Sequence, residues 1–272
     1  MNKQQLLQIA QRNILEKRNN AIDRCDKLLA KLRTLPAWVE CETNLKQAQV
    51  DYVMNGKQDA DKQRVETYRT IQKQLLGKLK VDERVLIPRP ETEEMVMMAV
   101  SAVEEGDSVL DLCTGSGAIA IAVKKELESR GINAKMTASD LSLDALALAQ
   151  ENAAANGAEI KFVHSDLFEN IKGKFNVIVS NPPYIPTAEI ELLQREVRDY
   201  EPRLALDGGA DGLDIYRRIA EDCFKYLNRN GTIVMEVGKG QAQAVAKMFK
   251  GSSYSVIMKD FNDVERYVKI IT

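Results

Sequence analysis

The sequence predicts an α/β fold in which a mostly parallel β-sheet, covered by helices on both faces, follows a helical segment. Three observations predict it. From about Asp82 onward, short apolar runs alternate with stretches of helix length, the pattern of strands joined by helical crossovers. A glycine loop, Thr114-Gly115-Ser116-Gly117, comes straight after the first apolar run and opens a helix, where doubly wound sheets bind ligands. The first 80 residues have another character: they are rich in Lys, Gln, Arg, Asn and Leu, and Gly56 and Gly77 are their only glycines.

In residues 1–80, apolar side chains recur at helical spacing, as in Leu6, Ile9, Ala10 and Ile14, then Leu28, Leu29 and Leu32. Leu35-Pro36-Ala37-Trp38 interrupts that pattern, and Asn55-Gly56-Lys57 reads as a turn or a helix C-cap. The expectation is a helical N-terminal domain of two or three long helices, folded as an antiparallel hairpin with Val65–Lys80 as its returning arm. Such a hairpin is either a solvated appendage or a substrate-docking module. Residues 81–272 form the second domain. Its predicted strands are Ser108–Cys113, Ala134–Asp140, Lys161–Asp166, Phe175–Asn181 and Gly231–Val237. Ala118–Leu127, Leu143–Asn156 and Gly212–Leu227 are the intervening helices, and right-handed crossovers set the sense of winding. Ser253–Met258 and Glu265–Ile271, joined by the turn-forming Asp260-Phe261-Asn262-Asp263, predict a C-terminal hairpin, so that the sheet finishes with one antiparallel strand.

The bulk numbers exclude some functions. The 272 residues carry a net charge of -2 and a pI near 5.7, which provides no basic footprint for a phosphate backbone. A nucleic-acid partner is not expected. Met1–Ala10 is polar and lacks the apolar core of a secretory signal, and no run approaches the roughly 18 apolar residues of a membrane span. Cys25, Cys41, Cys113 and Cys223 are scattered, and His164 is the only histidine. This pattern predicts reduced thiols in a cytoplasmic protein, with no disulfide framework and no metal site.

Three strand ends predict the ligand. Glycines in the turn after the first strand let the backbone approach a ligand closely. Asp140, ending the second strand, can accept both hydroxyls of a ribose; alternatively it only caps the next helix, a task Ser142 can also perform. Asp166, after the third strand, can accept from an adenine amino group while Leu167 or Phe168 covers the ring face. Neither the Lys-Ser/Thr of a triphosphate loop nor the third glycine of the dinucleotide fingerprint is present. An adenosyl cofactor without a pyrophosphate fits best.

The fourth strand runs into Asn181-Pro182-Pro183-Tyr184. Two consecutive prolines restrict φ and remove two N–H groups, so this loop presents acceptors without competing backbone donors. That suits a nitrogen nucleophile bearing two hydrogens. The side-chain oxygen of Asn181 can take one hydrogen, a backbone carbonyl such as that of Pro182 can take the other, and Tyr184 can stack on a planar substrate group. An amide nitrogen is a poor nucleophile because its lone pair is delocalised. Two positioned acceptors align it with a sulfonium methyl and favour pyramidalisation as positive charge develops. A rigid proline turn is the alternative reading.

Leu86-Ile87-Pro88-Arg89-Pro90-Glu91-Thr92-Glu93, Asp111-Leu112-Cys113-Thr114-Gly115-Ser116-Gly117 and Asn181-Pro182-Pro183-Tyr184 together resemble the HemK/PrmC family of N5-glutamine methyltransferases. Gly208-Gly209-Ala210-Asp211-Gly212-Leu213-Asp214 matches the same family's pattern. The resemblance runs from about Arg84 to the C-terminus. It implies a class I, Rossmann-like methyltransferase with a seven-stranded sheet, acting with S-adenosylmethionine on the glutamine of the Gly-Gly-Gln motif in class-1 peptide release factors. By the same resemblance, Asp111, Cys113, Thr114, Gly115, Ser116, Gly117, Asp140, Asp166, Leu167 and Asn181 line the cofactor. Asn181, Pro182, Pro183 and Tyr184 hold the glutamine amide, and Arg89 and Glu91 shape the entrance or only pin the first helix. Three departures stand out: residues 1–80 do not match the family's helical N-terminal domain, Leu79–Val85 lacks the aromatic, glycine-containing stretch usual in the family, and Cys113 stands where glycine is frequent. Competing functions are amino-group methylation on another protein, such as a ribosomal protein, or on adenine N6 of nucleic acid, and a non-enzymatic cofactor-binding scaffold.

Overall fold

Seven strands form one sheet in the order β3-β2-β1-β4-β5-β7-β6. The computed structural model describes residues 79–89, 91–260 and 262–272. The expected N-terminal helical domain therefore lies outside the described residues, apart from Leu79 and Lys80, which are not helical. The strands are β1 Ser108–Leu112, β2 Lys135–Asp140, β3 Lys161–His164, β4 Phe175–Ser180, β5 Leu227–Glu236, β6 Tyr254–Lys259 and β7 Glu265–Ile271. Helices α1 (Thr92–Val100), α2 (Ala118–Ser129), α3 (Leu143–Asn156), α4 (Asp214–Tyr226) and α5 (Ala242–Ala246) connect or flank them. The first five strands are mutually parallel, as the alternating pattern requires.

The central strands are apolar on both sides, and alternate residues feed two cores. On one face, Leu110, Leu112, Ile178, Ile233 and Met235 pack against Tyr216, Ile219 and Cys223 of α4. On the other, Val109, Val177, Val179 and Val234 pack against Met95 and Ala99 of α1 and Ile119 and Val123 of α2. Helix α3 has a side-chain cap at its start, where Ser142 accepts from the Ala145 N–H, and ends at Gly157 in the left-handed region (φ 59°), as an N-cap serine and a C-terminal glycine dictate.

The C-terminal hairpin differs from expectation in its placement. β7 is antiparallel to both β5 and β6, so the single antiparallel strand lies inside the sheet and β6 forms the edge. The hairpin folds its second strand inward because β7 carries the buried Tyr267, Val268 and Ile270, whereas Tyr254 and Val256 of β6 are exposed. Strand β3 stops at His164, short of Asp166, because Ser165–Leu167 turns sharply and Leu167 adopts φ 47°. Helix α1 and the short turns Thr187–Leu192, Arg195–Arg198 and Arg203–Leu206 were not among the predicted elements.

Strand order places the site. The chain winds from β1 through β2 to β3 in one direction, then crosses to β4 on the opposite side of β1. The strand order thus reverses between β1 and β4, whose carboxyl ends are the usual ligand position in such sheets.

Candidate active site

Leu112, ending β1, pairs in register with Ser180, ending β4, and the Ser180 hydroxyl donates to the Leu112 carbonyl at 2.8 Å. The glycine loop and the Asn181–Tyr184 loop, about 65 residues apart in sequence, therefore leave the sheet side by side.

Asp111 is fully buried beneath the glycine loop. Its Oδ2 accepts from the Thr114 hydroxyl at 2.6 Å and from the Ala120 N–H, in the first turn of α2, at 3.1 Å. Its Oδ1 has no hydrogen-bond partner among the described residues. Burial pushes the Asp111 carboxyl up to about 7, against the two hydrogen bonds that favour its charged form. Cys113 adopts φ 61°, a left-handed conformation that costs an L-residue and is free to glycine. Burial, then the carboxylates of Asp140 and Asp111, push its thiol far up, so it remains protonated and unsuited to nucleophilic attack.

The remaining loop residues divide between ligand face and support. A Cβ on Gly115 would meet nothing within 4 Å, so that face is open. Gly117 is a packing position: its φ is 81°, and a Cβ would press on the Ala149 Cβ of α3 at 3.1 Å. Thr114 and Ser116 are buried. The Thr114 hydroxyl serves Asp111, and the Ser116 carbonyl accepts from Asn152 Nδ2 at 2.9 Å. Asn152 also exchanges two hydrogen bonds with the Lys80 backbone, so one buried amide ties the glycine loop to the segment preceding α1. Sequence reading missed Asn152; the signal was a polar residue of poor helix propensity inside an alanine-rich helix.

Asp140 is not set free by the Ser142 cap. Its Oδ2 accepts from the Gly115 N–H and its Oδ1 from the Ser142 N–H, both at 2.9 Å, leaving one acceptor direction or more on each oxygen. Burial raises its pKa against these backbone bonds. Asp166 is half-buried, and its Oδ1 pairs with Arg218 of α4 at 2.8 Å. Leu167 lies beside it. Phe168 is buried and stacked on Tyr226 at 4.7 Å between ring centroids, and Leu167 and Phe168 belong to the same core cluster.

The Asn181–Tyr184 loop is clamped from behind. Gln241 Nε2 donates to the Tyr184 carbonyl at 2.9 Å and its Oε1 accepts from the Gly238 N–H. The Gly208–Gly212 loop lies directly against the same backbone. A Cβ on Gly212, which has φ 73°, would fall 2.3 Å from the Tyr184 carbonyl oxygen, which explains the glycines of that motif. Pro182 is buried; Asn181, Pro183 and Tyr184 are half-buried. Asn181 Oδ1 is buried without a hydrogen-bond partner among the described residues, while Nδ2 donates over a long 3.5 Å to the Thr92 hydroxyl. Thr92 in turn donates to the buried carboxylate of Glu236 at 2.8 Å. The Tyr184 phenol is raised to about 12, by burial first and by Glu236 next, and so stays protonated. It partly packs on the core; the expected stacking on a substrate is a proposal.

Arg89 pairs with the buried carboxylate of Glu201 at 2.5 Å, joining the segment before α1 to the turns that follow β4. Glu91 precedes α1, and its carbonyl accepts from the buried Tyr267 hydroxyl at 2.6 Å. Both residues thus secure the start of α1. Glu201 and Glu236 were not anticipated. Glu236 is an acid closing an apolar strand, a signal visible in the sequence, whereas nothing local marks Glu201.

The described fold is one that known proteins share. The family model for the methyltransferase small domain matches residues 93–262. A release factor glutamine methyltransferase of Geobacter sulfurreducens is 44% identical over 191 residues, covering 69% of this chain and 66% of that protein. One from Lactococcus lactis is 49% identical, covering 64% of this chain and 63% of that protein. One from Thermodesulfovibrio yellowstonii is 43% identical, covering 70% and 69%. The chain thus spans slightly under two thirds of the length of the first two relatives. Among solved structures, a methyltransferase from Pyrococcus furiosus shares the fold with a TM-score of 0.54 at 18% identity, covering 78% of this chain and 98% of that one. With a class I methyltransferase sheet, a glycine loop beside Asn181–Tyr184 and this level of identity, the chain belongs to the methyltransferase small domain family and, within it, to the release factor glutamine methyltransferases.

Proposed function

We propose that the protein transfers a methyl group from S-adenosylmethionine to the side-chain amide nitrogen of a protein glutamine, and that its substrate is the Gly-Gly-Gln glutamine of a class-1 peptide release factor. The observation that carries this reading is Asn181 Oδ1, a buried acceptor without a partner among the described residues, next to the glycine loop. Relatives named release factor glutamine methyltransferase supply the substrate class.

The residues present suit the cofactor. The Asp140 carboxylate, held by two backbone N–H groups, would take the ribose hydroxyls. Asp166 would keep its second oxygen for the adenine amino group, with Leu167 against the ring. Gly115 opens onto free space, and the orphaned Asp111 Oδ1, once the carboxyl has lost its proton, offers an acceptor to a charged amino group. When bound, the cofactor supplies an electrophilic methyl on a sulfonium centre.

This chain's residues then supply position and charge. Asn181 Oδ1 accepts one hydrogen of the substrate NH2, and the Pro182 carbonyl is the proposed second acceptor. Together they turn the nitrogen lone pair toward the methyl group. As the nitrogen becomes positive, both acceptors strengthen their bonds to it, which stabilises the transition state more than the ground state. Attack by the neutral NH2 gives an N-methylated amide cation, a strong acid that loses one proton to water to leave the neutral product, so no resident general base is required. Asn181→Ala should lower kcat by about 10²-fold or more, the scale for losing one preorganised group, with cofactor affinity changed little. Steady-state methyl transfer beside calorimetric titration checks this; wild-type turnover in the variant refutes the mechanism.

A further inference from the structure

We propose that Thr92 and Glu236 are positioning residues: they set which end of the Asn181 amide faces the substrate. The inference rests on the reading of Asn181 as the acceptor for the substrate NH2, and goes beyond it.

The two ends of an asparagine amide are nearly the same size, so shape alone does not choose between them. Hydrogen bonding does. Glu236 ends β5 with a buried carboxylate; burial raises its pKa, the Thr92 hydrogen bond and the Arg266 charge oppose that rise, and in its ionised form it only accepts. It takes the single Thr92 hydroxyl hydrogen at 2.8 Å. The Thr92 oxygen is then left with lone pairs only, and Asn181 meets it with Nδ2 at 3.5 Å. Were the amide reversed, Oδ1 would face a hydroxyl whose hydrogen is already committed, acceptor against acceptor. The sense of this chain sends Oδ1 the other way, where it has no partner among the described residues.

The orientation matters for chemistry. A reversed Asn181 would present an NH2 to an NH2, donor against donor, and would repel the nucleophile it is meant to hold. The tertiary structure makes the chain possible. Thr92 is the first residue of α1, Asn181 follows β4, and Glu236 ends β5, so the carboxyl ends of two neighbouring strands and one helix start converge. The Tyr216 hydroxyl donates to the Glu236 carbonyl at 2.8 Å, which helps hold this end of β5 in place. Thr92 and Glu236 act on the substrate only through Asn181.

The test uses the full chain and reads the amide directly. In protein labelled with 15N-asparagine, the Asn181 side-chain signal is the one lost in Asn181→Ala. Thr92→Val removes the hydroxyl at nearly constant volume, and Glu236→Leu removes the acceptor. Both should shift that signal and speed its hydrogen exchange, while Thr92→Ser leaves it near its wild-type position. In methyl transfer to a release factor, Thr92→Val should lower kcat by about 10²-fold, the scale of a misplaced reacting group. KM and the melting temperature should change little, and Thr92→Ser should recover most of the loss. An unchanged Asn181 signal in Thr92→Val overturns the proposal, as does wild-type kcat. A wild type that leaves glutamine unmethylated refutes the functional reading alone, because the amide signal still decides the relay. If Thr92→Val fails to fold, the Glu236→Leu signal decides it in the same way.

Discussion

Asp140 accepts one backbone hydrogen bond on each carboxylate oxygen, from Gly115 and Ser142, and is therefore pre-aimed before any ligand arrives. Asp140→Ala should weaken S-adenosylmethionine binding by roughly 1.5–3 kcal/mol for each charge-assisted bond lost; unchanged affinity by calorimetry would refute the ribose role. Cys113 makes the opposite case, a residue whose side chain the site does not need. Its φ of 61° is in the left-handed region, where glycine avoids a cost of about 1–2 kcal/mol. Cys113→Gly should leave cofactor affinity and turnover intact and hold or raise stability by up to about 1 kcal/mol. Loss of turnover in that variant would show that the thiol takes part. At this scale the sequence revealed residue types near strand ends but not their partners. Thr92 stood inside a quoted motif without a role, because its bond to Glu236 spans 144 positions. Glu201 carried no local signal at all.

Elements were far more legible than contacts. The Ala118 and Leu143 helix starts and the strands from Ser108 to Ser180 follow from apolar periodicity, the serine cap and the glycine turn, which are local properties. The position of β7 between β5 and β6 was not, because a hairpin reads alike in either direction and only burial of Tyr267, Val268 and Ile270 decides which strand faces inward. The turns between β4 and α4 also escaped, being too short to show a period. They frame the site nonetheless: the Gly208–Gly212 loop supports the Tyr184 backbone. Gly212→Ala would set a methyl 2.3 Å from the Tyr184 carbonyl oxygen at φ 73°, so the loop must move. Loop displacement should cost about 10²-fold in kcat, with a smaller effect on cofactor affinity, by the same paired assay. Equal losses in both would place the loop under the cofactor instead.

For the whole molecule, the site holds buried carboxyl groups whose ionisation opposes folding. The Asp111 carboxyl, about 7 in the folded chain against an ordinary value of 3.8, keeps its proton in the native state where the unfolded chain has lost it. Its contribution to stability is therefore fully present below about pH 4 and is lost as pH rises toward and through 7. The difference amounts to on the order of 4 kcal/mol. Burial raises Asp140 and Glu236 in the same direction. Urea unfolding of wild type and Asp111→Asn across that range should show the wild type losing ground to the variant as pH rises; parallel curves would contradict the assignment. The central claim is the amide transfer itself. Labelled S-adenosylmethionine, the full chain and a purified class-1 release factor test it most directly, beside the release factor with its Gly-Gly-Gln glutamine changed to alanine. The account predicts label on the unaltered factor alone, located on that glutamine; equal label on both factors, or none on either while the cofactor binds, would contradict it.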